Sequence, residues 1–94
     1  MYNNIISYKL IIIGKVQGVG FRYWFNKEAI ALNLKGYVKN LHNENEVESI
    51  IQGQINNILH FVEKCKKGPR LAIVEKVISK NIITDKVYTN FEIQ

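Results

Sequence analysis

Cysteine, proline and tryptophan each occur once in these 94 residues, and histidine only twice. A single cysteine, Cys65, leaves no partner for an internal disulfide. It falls in a helical pattern with no second Cys or His at ligand spacing, so it reads as a reduced core thiol rather than a metal ligand. No apolar run approaches a membrane span, because Leu10–Ile13 stops at Gly14. The opening "MYNNIISYK" has no basic segment followed by a long apolar one, which argues against a secretory leader. A cytoplasmic protein with no membrane partner is the simplest expectation. Ser/Gly-rich linkers, internal repeats and low-complexity tracts are also missing, so residues 1–94 are expected to form one domain with a modest core.

What is present is an apolar fraction of 47% with 22% charged residues, the balance of a folding chain rather than a disordered one. Thirteen Lys+Arg against eight Asp+Glu give a net charge of +5. That surplus suits an anionic partner, either nucleic acid or a phosphorylated small molecule. The lysines are scattered from Lys9 to Lys86 rather than massed in one tract, and a solvated surface explains them equally well.

The hydrophobic pattern sets the order of elements. Tyr8–Ile13 is short, continuous and β-branched, as a buried central strand would be. From Phe21 the period becomes helical, with Phe21, Phe25, Ala29 and Leu32 on one stripe ending near Asn33. "KGYVKNL" alternates and predicts a strand over Gly36–Leu41, and the polar turn "HNENE" leads into a second strand, "VESIIQ". "QINNILHFVEKCKK" puts Ile55, Ile58, Leu59, Val62 and Cys65 on one helical face. Lys66 and Lys67 follow where the helix dipole favours cations, Gly68 suits a C-cap and Pro69 stops the helix. "LAIVEKVISKNII" predicts a long strand and "VYTNFEIQ" a shorter final one. The order β-α-β-β-α-β plus a short terminal strand predicts an α+β fold. Its form is a ferredoxin-like α/β sandwich, with two helices on one face of an antiparallel sheet. In that topology the first two strands run the same way with the third between them. The glycine-rich stretch after strand one and Asn40 at the end of strand two are therefore expected at one edge.

That stretch, "GKVQGVGFRYWF" from Gly14 to Phe25, carries the chemistry. Successive N–H groups in a glycine-rich turn can form an anion nest, and a helix start behind it adds unpaired donors and partial positive charge. Arg22 in the first turn supplies a planar donor fork. Val16, Val19 and Phe21 would keep water away. A phosphate-sized dianion fits such a cradle. The stretch is no Walker loop, since Val16 follows Gly14–Lys15 where Ser or Thr belongs. It shares the glycines, Phe21 and an aromatic at Trp24 with the RNA-recognition signature, so a ferredoxin-like RNA-binding module is an alternative. Against it, Gln17 replaces the basic residue, Val19 replaces the stacking aromatic, and the segment opens a helix.

"GKVQGVGFR" followed by "GYVKN" resembles the acylphosphatase family, whose pattern is G-x-V-Q-G-V-x-F-R and later G-[WYF]-V-x-N. The resemblance runs from Tyr8 to Ile93 and includes "KGP" at Lys67–Pro69 and "FEI" at Phe91–Ile93. It implies metal-free hydrolysis of carboxyl-phosphate anhydrides to carboxylate and inorganic phosphate, with no cofactor. The phosphate would be bound by the main chain of Gln17, Gly18, Val19, Gly20 and Phe21 together with Arg22, and the attacking water oriented by Asn40. The implied partner is a small-molecule acyl phosphate, with no nucleic acid expected and a monomer as the simplest state. Gly14 and Gly18 are expected to be required by the loop, while Gly20 falls at a variable family position.

Two departures stand out. The hairpin "NLHNENEVE" is one residue longer than the family's usual turn and lacks its glycine, and Arg70 replaces a second proline. A catalytically inactive domain that only binds an anion or a partner is a further alternative. Similar domains sit inside larger carbamoyl-transfer proteins, but here both catalytic positions are intact. Tyr23, Trp24 and Phe25 are read as helix packing, and His42, His60 and Lys15 as surface residues.

Overall fold

The computed structural model describes residues 4–43 and 45–94. Met1–Asn3 of the opening segment and Glu44 of the stretch "HNENE" lie outside the described residues. The elements are β1 (Ile6–Lys15), α1 (Phe21–Ala31), β2 (Lys35–Asn40), β3 (Glu46–Gly53), α2 (Ile55–Lys67), β4 (Ile73–Ile82) and β5 (Phe91–Ile93). They form one five-stranded sheet in the order β4-β1-β3-β2-β5 with two helices.

The sheet is mixed rather than wholly antiparallel. β1 pairs antiparallel with β3 and β4, and β2 antiparallel with β3, but β5 runs parallel to β2, with Gly36 opposite Phe91 and Val38 opposite Ile93. β1, β2 and β5 therefore point the same way and release their C-terminal ends along one edge. The parallel pairing of β5 brings the residues after Phe91 to the edge where the glycine loop leaves β1.

The core lies between the sheet and the helices. Leu10 and Ile12 of β1, Val38 of β2, and Val47 and Ile51 of β3 are fully buried beneath Phe21, Phe25 and Ala29 of α1 and Ile58, Phe61 and Cys65 of α2. Side chains of this size contribute about 1.5–3 kcal/mol each when removed from water. Phe25 ties three elements together, meeting the Phe61 ring edge-on at 4.7 Å and the Phe91 ring at 5.8 Å. The α2 stripe is rotated from the predicted one. Phe61 is buried with Ile58, Val62 and Cys65, whereas Ile55 and Leu59 reach solvent. The Phe61 ring packs edge-on against Phe25, on the face of α2 that is turned inward, while Leu59 is turned away from it. Gly68 closes α2 at φ 70°, donating to Lys64 O at 3.0 Å.

At the end of the sheet away from the glycine loop, buried Gln52 holds the segment before β5. Its Nε2 donates to Ser7 Oγ at 3.0 Å and Lys86 O at 2.6 Å, and its Oε1 accepts from the Tyr88 N–H at 2.9 Å. These bonds set where β5 begins. None of the described helices is long and apolar enough to cross a membrane.

Candidate active site

The loop from Val16 to Gly20 turns between the end of β1 and α1. Gly18 and Gly20 sit at φ 73° and 75°, in the left-handed region. A side chain at either position would meet no atom within 4 Å, so the backbone angle and not crowding calls for glycine. Gly20 is also the N-cap of α1, and its left-handed conformation sets the entry of the loop into the helix. It does more than lend flexibility at a variable position. Gly14, by contrast, belongs to β1 rather than to the loop, pressed against the backbone of β4. Among the described residues, no main-chain N–H from Gln17 to Arg22 donates to a protein acceptor, so this run of amides is open to an anion.

The loop is tied to the hairpin that carries Asn40. Gln17 Nε2 lies 3.1 Å from Leu41 O, 2.8 Å from Asn43 O and 2.9 Å from Glu46 O, so its two hydrogens serve three carbonyls. The Gly14 N–H adds a bond to Asn45 O at 2.9 Å. Gln17 was singled out in the sequence for its main chain; its side chain is the clamp. The residues that accept from it are spread over a turn, and no local spacing announces that contact.

Arg22, Asn40, Gln17, Gly18, Gly20 and Phe21 line a single cavity of about 260 Å³, along with Val16, Tyr23 and Ile93. Val19 packs against the core beside it. Arg22 Nη1 donates to the main-chain oxygen of Gln94 at 2.7 Å, so the residue following β5 fixes the guanidinium. Asn40 ends β2 opposite Val47. Its Oδ1 is buried with no protein donor among the described residues. A buried acceptor left unpaired costs about 1–3 kcal/mol, and such groups concentrate where a ligand or water is to be received.

Three aromatics follow Phe21 or flank it, and they divide. Phe25 is fully buried, and Trp24 packs partly against the core. Tyr23, expected to pack, is 63% exposed and stands at the cavity mouth. Phe21, shared with the RNA-recognition signature, is buried in the first turn of a helix rather than displayed on a strand. His42 and His60 are exposed, and neither lines this cavity. Among the described residues, no three His, Cys, Asp or Glu side chains gather to hold a metal ion.

Comparison with known proteins agrees with the motifs. A sequence profile of the acylphosphatase family matches residues 8–93. An acylphosphatase of Clostridium beijerinckii is 48% identical over 73 residues, 78% of this chain and 80% of that one. The solved structure of an acylphosphatase from Coxiella burnetii superposes with a TM-score of 0.91 at 34% identity, covering 97% of this chain and 94% of that one. The same fold is found in T. kodakarensis HypF at a TM-score of 0.83 and 33% identity, where it covers 95% of this chain but only 12% of that one.

Proposed function

The chain belongs to the acylphosphatase family, hydrolases acting on acyl phosphates, and from that premise we propose that the cavity lined by Arg22 and Asn40 is its catalytic centre. There water attacks the phosphorus of a small acyl phosphate directly. The observation that carries this reading is the convergence at one cavity of a fixed guanidinium with main-chain amides and a buried carbonyl that have no partner among the described residues.

Each part answers a need of the reaction. The bond that breaks joins phosphorus to a carboxylate oxygen, and a carboxylate leaves without a strong general acid. A loose phosphoryl transition state then asks mainly for charge stabilisation and an aligned nucleophile. Arg22 and the amides of Gln17, Gly18, Val19, Gly20 and Phe21 supply the first, in surroundings that Val16 and Phe21 keep apolar. Asn40 supplies the second, its Oδ1 accepting a hydrogen from water and directing the oxygen lone pair at phosphorus. As the P–O bond to water forms and the bond to the carboxylate breaks, the water proton passes to a phosphate oxygen. The products are a carboxylate and inorganic phosphate. In this reading the protein works as one domain on a small anion, in the cytoplasm, without a metal ion, membrane or nucleic acid, and as a monomer.

The test is hydrolysis of acetyl phosphate in the presence of excess chelator, with inorganic phosphate as competitor. Turnover that is unaffected by chelator and competitively inhibited by phosphate is expected. A strict requirement for Mg²⁺ would defeat the reading, as would tight RNA binding without hydrolysis.

A further inference from the structure

β4 is an outer strand of the sheet, with β1 on one side and no strand on the other. Among the described residues, its main-chain groups bond only to β1, so a row of N–H and C=O groups faces outward along the free side. The register assigns its side chains to the two faces. Val77 and Ser79 lie opposite the buried Ile12 and Leu10, on the side of the helices. Lys76, Ile78 and Lys80 lie opposite Ile13, Ile11 and Lys9, on the open face. Ile78 is 43% exposed, and neither Lys76 nor Lys80 makes an ion pair among the described residues. Glu75, the one carboxylate of the strand, sits in the bulge between the partners of Ile13 and Gly14. The regularly paired stretch Lys76–Ile82 therefore carries lysine as its only charged residue type. Beside the strand, a groove of about 220 Å³ is lined by Lys66 of α2 and by Val74, Glu75, Lys76 and Val77 of β4.

A free strand edge beside a groove walled by a helix is suited to strand addition. Main-chain bonds along the edge supply affinity, and pockets for alternate side chains supply specificity. Charge decides which strand fits. A second copy laid antiparallel with Ile78 against Ile78 would set Lys76 opposite the copy's Lys80 at both ends, and like charges directly opposite repel. Edge lysines guard a sheet against pairing with itself in this way, and a strand bearing carboxylates meets no such barrier. We propose that the free edge of β4 binds an extended acidic segment of another protein, added antiparallel as a sixth strand. An apolar side chain of that segment lies against Ile78, with carboxylates facing Lys76 and Lys80 and an intervening side chain in the groove beside Val74 and Val77. No residue of β4 lines the cavity of Arg22 and Asn40, so the catalytic site stays open when this edge is occupied. The proposal goes beyond the reading of that cavity and stands apart from it.

The test measures, by fluorescence anisotropy, binding of the labelled peptide Thr-Thr-Glu-Thr-Val-Val-Glu-Thr-Thr, of its counterpart with lysine at both glutamates, and of a single-stranded oligothymidylate. Amide hydrogen exchange of the protein locates the contact. The acidic peptide is expected to bind and to slow exchange along Lys76–Ile82, and the lysine peptide to bind about tenfold more weakly, since two cross-strand attractions become repulsions. The double variant Lys76→Glu, Lys80→Glu should reverse that order, and Lys76→Gln with Lys80→Gln should bring the two peptides to equal affinity. Both variants change exposed side chains, and a thermal melt checks that each is folded. Absence of saturable binding of the acidic peptide up to about 1 mM overturns the proposal. So does equal binding of both peptides to the wild type, or slowed exchange confined to segments other than β4. Tighter binding of oligothymidylate than of the acidic peptide, lost with the same two lysines, would assign this face to nucleic acid and overturn it as well.

Discussion

Arg22 and Gln94, 72 residues apart in sequence, are joined by one hydrogen bond of 2.7 Å from the guanidinium to the main-chain oxygen. That bond explains how an arginine in a first helical turn, where the dipole disfavours a cation, is held extended over the cavity. It occupies one N–H of the fork and leaves others for an anion. It also makes the placement of Arg22 depend on the parallel pairing of β5 with β2, because β5 delivers the anchor.

Replacing Arg22 by alanine is expected to lower kcat/KM for acyl phosphates by roughly 10³-fold or more, on the scale of arginine contributions to phosphoryl transfer. Arg22→Lys should recover little. One ammonium cannot both reach Gln94 O and grip two phosphate oxygens side by side. Steady-state kinetics on both variants check this, and activity near wild type in the lysine variant would show that charge alone suffices.

The side chain of Gln17 sets the distance between the loop and Asn40. Gln17→Ala removes hydrogen bonds to Leu41, Asn43 and Glu46, and is expected to cost about 1–3 kcal/mol of stability. In a domain of this size, each kcal/mol corresponds to a fall in Tm of about 4–8 °C. On the proposed mechanism the clamp aligns groups that act in the transition state, so kcat should fall by about tenfold or more, less than for Arg22. Gln17→Glu should be worse at neutral pH, where a carboxylate faces three carbonyl oxygens, and should recover part of its stability in acid as the carboxyl regains a hydrogen to donate. Thermal melts at two pH values with kinetics beside them provide the check.

The sequence reading reached the element order and the edge where the site lies, because both follow from hydrophobic period and from the rules of strand connection. Topology put the glycine loop and Asn40 at one edge, and the family motifs singled out Arg22 and Asn40, which line the same cavity. The direction of β5 was not legible, since "FEI" is three residues with no turn to fix its partner. With β5 unplaced, neither the Gln94 anchor nor Ile93 could be found. Tyr23 was misread because it is adjacent to the helical stripe of Phe21 and Phe25, and helix rotation turns it outward. The Gln17 clamp joins residues 24 to 29 apart through a side chain, which no periodicity records.

Two buried or hydrogen-bonded groups tie stability to alkaline pH. Burial pushes the Cys65 thiol far above its ordinary value of 9.0. Burial, together with donation from the Tyr37 hydroxyl to Glu48 Oε2 at 2.6 Å, pushes Tyr37 far above 10.0. Below pH 9 both groups are protonated in the folded and unfolded chain alike, and their contribution is fully present. As pH rises beyond about 9, the unfolded chain releases protons that the folded chain keeps, so stability is lost. The slope for Cys65 is at most about 1.4 kcal/mol per pH unit, and that for Tyr37 is smaller because solvent screens it. Urea unfolding from pH 7 to 11 should show a flat midpoint up to about pH 9 and a decline beyond it, with the decline shallower in Cys65→Ala and Tyr37→Phe. A flat profile to pH 11 would contradict both assignments.

Asn40 allows the sharpest separation of a catalytic from a structural role, because the two differ in sign. A strand-end asparagine that only shapes a turn stabilises the fold, and replacing it lowers Tm. Here Oδ1 is buried without a protein donor among the described residues, which costs the fold about 1–3 kcal/mol unless water or substrate satisfies it. Asn40→Ala removes that penalty, so Tm is expected to hold or rise by a few degrees. If the carbonyl aims water, the same substitution should lower kcat and kcat/KM together by about 10²-fold, the scale of losing nucleophile alignment. The inhibition constant of phosphate should stay near wild type, since Arg22 and the loop amides remain. Asn40→Asp keeps the shape but sets a negative charge beside a phosphate dianion, so it should lose activity and weaken phosphate binding as well. Kinetics, phosphate inhibition and thermal melts on the two variants decide the matter. A lowered Tm with kcat unchanged in Asn40→Ala would return Asn40 to the turn and leave the water to be positioned by another group.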